Sequence, residues 1–270
     1  KVLRAVDGSA VESAPDFAAL VTSPSRLALL GRMILVGEGG NGSARVLRLV
    51  DPTTGRDVWK QEAPATSLVL KTLDPELCGF LNQDGTFEVF ESRTGKSLLK
   101  AGVDADRVDA HLKDETGKFA VTKPLLLADG ERFYLFLNRD PKPNNNVPFY
   151  GGVSIIRSQP VNGVAYGFDR ATGKRLWFTE RLFEAQTLLV ERMDELPVLI
   201  AAGTVLDEQT RTPTYRVAVL DKQAGKLKYF KGHNPQQGLF QTMIYDAKTK
   251  GIELFNYNVR VRIVPEDEPK

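Results

Sequence analysis

The stretch "ILVGEGGNGSARVLRLVDPTTGRDVW", residues 34–59, contains two patterns that favour different folds. Its first half has the Gly-x-Gly-x-x-Gly spacing of a dinucleotide-binding loop at Gly37, Gly39 and Gly42, after an apolar run. A dinucleotide loop needs a helix directly after its glycines, because the pyrophosphate binds at a helix N-terminus. Here the glycines are followed by "ARVLRLVD", a second strand-like run, so we interpret them as a connection between two strands.

The second half of the stretch is a turn unit that occurs four times. Each copy has a strand-like run, an acidic residue, a glycine four positions later, a basic residue and a second strand-like run with a bulky apolar residue. The acidic side chain can accept hydrogen bonds from nearby backbone amides, and the glycine supplies the positive φ of a hairpin turn with a bulge. The unit therefore predicts a β-hairpin. The acidic residues are Asp51, Glu91, Asp169 and Asp221; the glycines are Gly55, Gly95, Gly173 and Gly225; the bulky residues are Trp59, Leu99, Trp177 and Tyr229.

The spacing of these units predicts an all-β fold, a β-propeller or a large part of one. Asp51 and Glu91 are 40 residues apart, which suits a four-stranded propeller blade of about 40–50 residues. Further hairpins fill the intervals, including "PLLLADGERFYLFLN" at residues 124–138. We predict one domain, 1–270, of about five four-stranded blades with approximate bounds 22–63, 64–103, 121–181, 184–232 and 238–265.

The two ends of the chain leave alternatives open. The last group offers three strands, and the N-terminal segment, residues 1–21, is either the strand that completes it or a short helix or loop. The chain begins with Lys1 and shows no signal-peptide core, so we expect a processed form or a part of a longer chain with further blades.

Composition argues against several functions. The net charge is +2, from 36 basic and 34 acidic residues, which provides no field for nucleic acid. No apolar run approaches the roughly 18–20 residues that cross a membrane. Cys78 is the single cysteine, and it lies in an apolar run, so we predict a buried, unreactive thiol and no disulfide.

The repeated turn resembles the blades of quinoprotein-like propellers, which carry pyrroloquinoline quinone (PQQ)-type repeats. That family includes PQQ dehydrogenases and outer-membrane assembly-factor lipoproteins. The resemblance is carried by "VDPTTGRDVW" and "FDRATGKRLW", is weaker in "FESRTGKSLL" and "LDKQAGKLKY", and covers about residues 20–264. It implies that the tryptophans join adjacent blades, and that the protein lies outside the cytoplasm, in the periplasm or cell envelope.

The sequence shows no set of catalytic or cofactor-binding residues that matches a quinone enzyme. Such an enzyme would need calcium ligands, an aspartate base and a basic residue near the quinone. We predict no catalytic, cofactor or metal site, and the alternative left open is PQQ with calcium. The two histidines, His111 and His233, lie in polar stretches and are interpreted as solvated surface residues.

Two other segments are candidate functional sites. "DADRVDAHLKDE" brings together Asp104, Asp106 and Asp109, but it departs from the calcium-loop pattern, so we favour a charged helix start. "PKPNNNVPFYGG" is a long polar loop with two aromatic residues, a composition that suits contact with a partner or an ordinary insertion. Its candidate contact residues are Asn144, Asn145, Asn146, Phe149 and Tyr150.

The function predicted from these observations is a non-catalytic propeller that serves as a protein-interaction scaffold in the bacterial cell envelope. We expect protein partners and neither nucleic acid nor a membrane span. The alternative is an enzyme or binder that uses the central funnel, either a quinone-dependent dehydrogenase or a propeller acting on another small molecule or a carbohydrate.

Overall fold

A computed structural model describes residues 2–3, 10–11, 17–40, 42–112, 124–138, 156–206, 213–233, 242–255 and 260–264. The chain divides into two compact units. The first comprises Lys1–Lys113, Lys123–Leu127 and Arg170–Lys174, and the second comprises Asp114–Thr122, Ala128–Asp169 and Arg175–Lys270.

The first unit begins with two short strands and a helix, followed by a four-stranded antiparallel sheet. The short strands pair with each other. The helix lies in the N-terminal segment, for which the sequence allowed a strand, a helix or a loop. The sheet has the order β3-β4-β5-β6, so each strand pairs with its neighbour in the chain. These elements are β1 (Val2–Leu3), β2 (Ala10–Val11), α1 (Phe17–Thr22), β3 (Arg26–Leu30), β4 (Met33–Gly40), β5 (Ser43–Asp51) and β6 (Arg56–Ala63).

A second sheet of the first unit has the same up-and-down arrangement. Its order is β11-β10-β9-β7, and the short strand β8 pairs in parallel with β12 at Leu125 and Leu126. The elements are β7 (Leu68–Val69), β8 (Lys71–Thr72), β9 (Leu77–Leu81), β10 (Thr86–Glu91), β11 (Ser97–Gly102), α2 (Ala105–Leu112) and β12 (Leu125–Ala128). The helix α2 occupies the segment predicted to be a charged helix start.

The second unit is built from antiparallel strands alone in the residues that the structure describes. Six strands follow the order β13-β14-β15-β16-β17-β18, and three more follow the order β19-β20-β21. They are β13 (Arg132–Asn138), β14 (Ser158–Asp169), β15 (Arg175–Leu189), β16 (Val198–Leu206), β17 (Pro213–Asp221), β18 (Leu227–His233), β19 (Thr242–Asp246), β20 (Gly251–Phe255) and β21 (Arg260–Ile263).

One strand of the second unit is shared between two groups of strands. β15 is 15 residues long. It pairs with β14 from Arg175 to Leu189, with irregularities, and its last residues, Thr187 to Leu189, also pair with β16. The boundary placed near residues 181–184 therefore falls inside a continuous strand. The blade bounds themselves remain a prediction.

Each unit has an apolar core formed by alternate strand residues. A strand sends successive side chains to opposite faces, and the buried face of each sheet packs against its neighbour. In the first unit the core includes Leu35, Leu47, Phe80 and Phe90. In the second unit it includes Ile200, Val217, Val219, Ile252 and Leu254. The prediction of a mostly β chain is confirmed.

The glycine-rich stretch of residues 37–42 is part of a hairpin. β4 and β5 pair across it, with Gly37 opposite Leu47, so the predicted connection between two strands is confirmed. Gly39 and Gly42 have φ values of 93° and 91°, which only glycine adopts easily. The stretch therefore reverses the chain between two strands and begins no helix.

Two single-residue predictions have clear outcomes. Cys78 is 1% exposed, so the predicted buried thiol is confirmed, and burial raises the pKa of this thiol to about 11. The prediction of a solvated His111 is wrong, because this side chain is 6% exposed. His111 lies in the last turn of α2, where polar sequence neighbours point to other sides of the helix. The side chain of His233 lies outside the described residues.

Candidate functional site

The first turn unit is held together by its acidic residue. The backbone N–H of Thr53 donates to Asp51 Oδ1 at 2.9 Å, and the N–H of Gly55 donates to the Asp51 carbonyl at 2.8 Å. Gly55 has a φ of 71°, in the left-handed region where a Cβ would be strained. The turn thus has the hydrogen bonds and the backbone conformation that its sequence predicts.

The other three copies repeat this conformation with small changes. The glycines have φ values of 68° at Gly95, 72° at Gly173 and 63° at Gly225. In the fourth copy the N–H groups of Gln223 and Ala224 both donate to Asp221 Oδ1, at 2.9 and 2.6 Å. The shared conformation gives each copy a flat glycine surface on which another side chain can pack.

Trp59 covers the glycine surface of the second turn. Its indole N–H donates to the Ser92 carbonyl at 3.0 Å. A Cβ added to Gly95 would lie 2.7 Å from Trp59 Cδ2, so the ring lies directly on the glycine. Two positions along the strand, Gln61 Nε2 donates to the Gly95 carbonyl at 3.2 Å. The second turn therefore accepts two hydrogen bonds from side chains of β6, and its glycine contacts the Trp59 ring.

Trp177 covers the glycine surface of the fourth turn in the same way. Its N–H donates to the Lys222 carbonyl at 2.7 Å, at the position equivalent to Ser92. The ring is enclosed from two sides, because a Cβ on Gly225 would lie 2.4 Å from its Cγ and a Cβ on Gly167 would lie 2.2 Å from its Cε2. The repeat pattern does not include Gly167, which lies two residues before Asp169.

The two remaining bulky residues pack without an indole. A Cβ on Gly173 would lie 2.9 Å from Leu99 Cδ1, so a leucine covers the third turn. Tyr229 packs against the core that contains Ile252 and Leu254. The structure thus gives each of the four bulky residues a defined packing partner, and their role in joining blades remains part of the propeller interpretation.

We expect Gly95→Ala to lower the free energy of unfolding by about 1–3 kcal/mol, because the new methyl group would overlap Trp59 and strain a positive φ. Gly102→Ala in the following strand is the matched control, since a Cβ there meets no atom within 4 Å. Urea denaturation of both variants would measure the effect. Equal stability of the two variants would contradict the packing described.

A buried ion pair stands beside the Trp177 contact. Lys222 Nζ lies 2.9 Å from Asp129 Oδ2, and the two side chains are 3% and 4% exposed. Tyr134 Oη donates to the same oxygen at 2.7 Å, and the N–H groups of Glu131 and Arg132 donate to Oδ1 at 2.9 and 2.8 Å. Lys222 also donates to the carbonyl of Met193. Every charge in the pair is thus compensated by a hydrogen-bonding partner.

The protonation of this cluster follows from its contacts. Burial raises the pKa of Asp129, but the hydrogen bonds from Lys222 and Tyr134 outweigh it, so the pKa lies below its ordinary value. Burial and the adjacent carboxylate raise the pKa of Tyr134 well above its ordinary range. Asp129 is therefore a buried carboxylate that accepts from a protonated phenol. The cluster therefore joins a buried carboxylate, a buried ammonium group and a phenol through hydrogen bonds.

This cluster also predicts a loss of stability in acid. The folded pKa of Asp129 is lowered, whereas an unfolded aspartate has a pKa of about 3.9. Its stabilising contribution is therefore complete above about pH 4 and is lost as the pH falls through the folded pKa. We expect the urea midpoint of the wild type to fall more steeply below pH 4 than that of an Asp129→Asn/Lys222→Met variant. Parallel pH profiles would contradict this role.

A fifth turn of the same kind joins β19 and β20. The N–H of Lys248 donates to Asp246 Oδ1 and Thr249 Oγ1 donates to Asp246 Oδ2, both at 2.9 Å. Lys250 occupies the glycine position, four residues after the aspartate, with a φ of 52°. The repeat pattern does not detect this copy, because its glycine, Gly251, lies one position later than the pattern requires.

We expect Lys250→Gly to raise the free energy of unfolding by roughly 1 kcal/mol, because a non-glycine residue at positive φ is strained. Lys248→Gly in the same turn is the control, and it should lower stability by roughly 0.5–1 kcal/mol through the entropy of glycine in the unfolded chain. Thermal denaturation would compare the stabilities of both variants with that of the wild type. A destabilised Lys250→Gly protein would show that Lys250 makes a stabilising contact.

The remaining predicted sites fall into two groups. The partner-loop residues Asn144, Asn145, Asn146, Phe149 and Tyr150 lie outside the described residues. Asp104 directly precedes α2, Asp106 lies in its first turn and Asp109 lies further along the helix. No group of three or more His, Cys, Asp or Glu side chains in the described ranges is placed to hold a metal ion.

Comparison with known proteins gave similarity to solved structures. The chain resembles BamB from Moraxella catarrhalis (14% identity, TM-score 0.41, 88% of this chain and 55% of that one). It also resembles the computationally designed protein Ika8 (12% identity, TM-score 0.42, 84% of this chain and 54% of that one). A third similar structure is the Dos1 propeller (13% identity, TM-score 0.43, 82% of this chain and 49% of that one). The chain thus spans about half the length of these structures. No protein-family profile and no curated protein sequence matches it.

Proposed function

We propose that this protein is a non-catalytic β-propeller that serves as a protein-interaction scaffold in the bacterial cell envelope. The observation that carries the proposal is the repeated packing of a bulky side chain on a glycine turn. Trp59 on Gly95 and Trp177 on Gly225 have the same indole-to-carbonyl hydrogen bond. A repeated contact of this kind joins neighbouring units of a repeat protein, each of which contacts mainly its neighbours.

The sheets support the same proposal. The described strands form antiparallel up-and-down groups, with four strands in each of the first two sheets. Radial repetition of four-stranded sheets is the architecture of a propeller. About five blades, with the bounds given above, and PQQ-type repeats remain part of the proposal, as does the completion of the ring by further blades.

The use of polar residues favours a scaffold over an enzyme. Asp51, Asp221 and Asp246 hold turns, while Asp129 and Lys222 form a buried pair. No helix in the described part of the chain is long and apolar enough to cross a membrane. A scaffold needs only exposed surface, and loops and outer strands provide it.

The test is affinity purification from a bacterial envelope extract, combined with an activity assay. We expect the wild-type chain to retain a defined protein, and a Phe149→Ala/Tyr150→Ala variant to retain less of it. Dye reduction with added pyrroloquinoline quinone and calcium should stay at background. Turnover of a defined substrate without any retained protein would favour the enzyme alternative and sink the scaffold proposal.

A further inference from the structure

The strands β19, β20 and β21 form a sheet whose two faces differ. They pair in antiparallel register, and residues directly opposite one another share a face. One face packs into the core of the second unit through Met243, Leu254 and Val261. We call the other face the outer face. Its side chains, in two rows across the three strands, are Ile244, Glu253 and Arg262, and Thr242, Phe255 and Arg260.

The outer face is open to solvent. Ile244 is 50% exposed, and the side chains of Arg260 and Arg262 are 69% and 67% exposed. Val264, two residues beyond Arg262, is 55% exposed. It lies beside the outer face, because a Cβ on Gly251 would be 4.0 Å from its Cγ1. The face therefore presents apolar and cationic side chains together.

Ile244 occupies a position that is covered in the other turn units. It lies two residues before the acidic residue of its turn. At this position the other units have buried apolar residues or a glycine that lies against Trp177: Leu49, Val89, Val219 and Gly167. In the first and fourth units this residue packs in one core with the sheet that follows in the chain. The fifth unit thus presents to solvent a position that the other units use for contact.

The residue opposite this position also differs in the fifth unit. In the other four units it is the bulky residue of the turn unit: Trp59, Leu99, Trp177 and Tyr229. In the fifth unit it is Glu253. Its carboxylate binds both arginines, with Arg260 Nη2 2.5 Å from Oε2 and Arg262 Nε 3.5 Å from Oε1. A charged cluster therefore replaces the bulky side chain of the other units.

The charges on and beside the outer face are mostly positive. Two guanidinium groups share one carboxylate, which leaves one positive charge in excess. Lys248 and Lys250, exposed in the adjoining turn, add to this excess, while Asp246 accepts hydrogen bonds from within that turn. A partner with an apolar surface alone would remove charges from water without pairing them, at a large cost in free energy. Carboxylates on the partner would pair with them instead.

We propose that the outer face binds an acidic segment of a partner protein, with carboxylates on Arg260 and Arg262 and an apolar side chain on Ile244 and Val264. Arginine recognises a carboxylate through two parallel N–H groups. The two arginines are two residues apart on one strand, about 7 Å, which matches carboxylates on alternate residues of an extended segment. The inference rests on the proposed scaffold function, for which it names a face and a partner chemistry.

The test selects peptides from a phage-displayed library of random short peptides, with the purified chain as the target. We expect the wild type to enrich peptides with aspartate or glutamate beside a large apolar residue. The charge-inverted variant is Glu253→Arg/Arg260→Glu/Arg262→Glu. It keeps opposite charges next to each other within the sheet, so it should fold, and it should enrich lysine and arginine instead.

Arg32→Glu is the matched control for the charges. Arg32 is 70% exposed and pairs with one carboxylate, that of Asp51, in the first unit. This variant should enrich the same peptides as the wild type. Fluorescence anisotropy with one selected acidic peptide should give a dissociation constant at least about tenfold higher for the charge-inverted variant, and an unchanged one for Arg32→Glu.

The apolar part of the face has its own test with the same peptide. Ile244→Ala should raise the dissociation constant about fivefold, because the truncated side chain buries less apolar area on binding. Val58→Ala is the control, since Val58 is 53% exposed on β6, in the first unit. It should bind the peptide as tightly as the wild type does.

Three selection results would overturn the proposal. One is enrichment of peptides without an excess of acidic residues, and another is unchanged enrichment with the charge-inverted variant. The third is acidic enrichment only after removal of residues 265–270, which include Glu266, Asp267 and Glu268, because this chain's own segment would then occupy the face.

Affinity purification from the envelope extract separates this proposal from the scaffold function. If the charge-inverted variant retains the same protein as the wild type, the scaffold function stands and its partner binds at another surface. A wild type that retains no protein would overturn both proposals. Loss of the retained protein in the charge-inverted variant, but not in Arg32→Glu, is the expected result.

Discussion

Replacing Lys222 with alanine is expected to lower the free energy of unfolding by about 3–5 kcal/mol. Lys222 and Asp129 are 3% and 4% exposed, so the variant would leave a buried carboxylate without its counter-ion. Breaking a buried pair by removing one partner has a cost of this size, because the remaining charge is not solvated. Urea denaturation at pH 7 would measure it.

Two controls separate the charge from other effects. Lys226→Ala changes an exposed lysine in the same turn and should alter stability by less than about 0.5 kcal/mol. Asp129→Asn/Lys222→Met removes both charges and should recover most of the loss, since replacing both partners is often neutral. A double variant no more stable than Lys222→Ala would show that packing, and not the unpaired charge, dominates.

Trp177→Ala is expected to lower the free energy of unfolding by about 3–5 kcal/mol, as for other buried tryptophans. Its ring is 6% exposed, lies between Gly167 and Gly225 and is 6.0 Å from the Tyr134 ring, so truncation leaves a cavity. Trp177→Phe keeps most of the apolar contact but leaves the Lys222 carbonyl without its donor, which should cost about 1–3 kcal/mol.

Trp59→Ala is the matched comparison for this prediction. Trp59 makes the same contact with Gly95 but is only partly buried, so its loss should cost less than the loss of Trp177. Calorimetric unfolding of Trp177→Ala, Trp177→Phe and Trp59→Ala would rank the three variants by their loss of stability. An equal effect of Trp59→Ala and Trp177→Ala would mean that burial does not set the energy of the indole contact.

The turns could be predicted from the sequence because their cause is local. An acidic residue and a glycine four positions later determine both the hydrogen bonds and the positive φ, and all of these groups lie within one turn. The fifth turn could not be predicted in this way, because Lys250 has the positive φ at the position that is a glycine in the other four turns. A pattern based on residue type cannot detect a strained residue that the surrounding strands hold in position.

The buried ion pair could not be predicted, since Asp129 and Lys222 are 93 residues apart in the chain. The sequence identifies Asp129 only as a hairpin residue, and Lys222 as one of several basic residues in polar turns. His111 was misjudged for a related reason. Its neighbours in sequence are polar, whereas its burial depends on which side of α2 packs inward.

The continuous strand β15 has a consequence for folding. In a repeat protein whose sheets are connected only by loops, each sheet can open while its neighbours remain folded. β15 pairs with β14 from Arg175 to Leu189, with irregularities, and its last residues, Thr187 to Leu189, also pair with β16, so one strand joins β13–β14 to β16–β17 in a single sheet. Hydrogen exchange under native conditions should therefore show the amides from β13 to β17 opening together, as one cooperative unit.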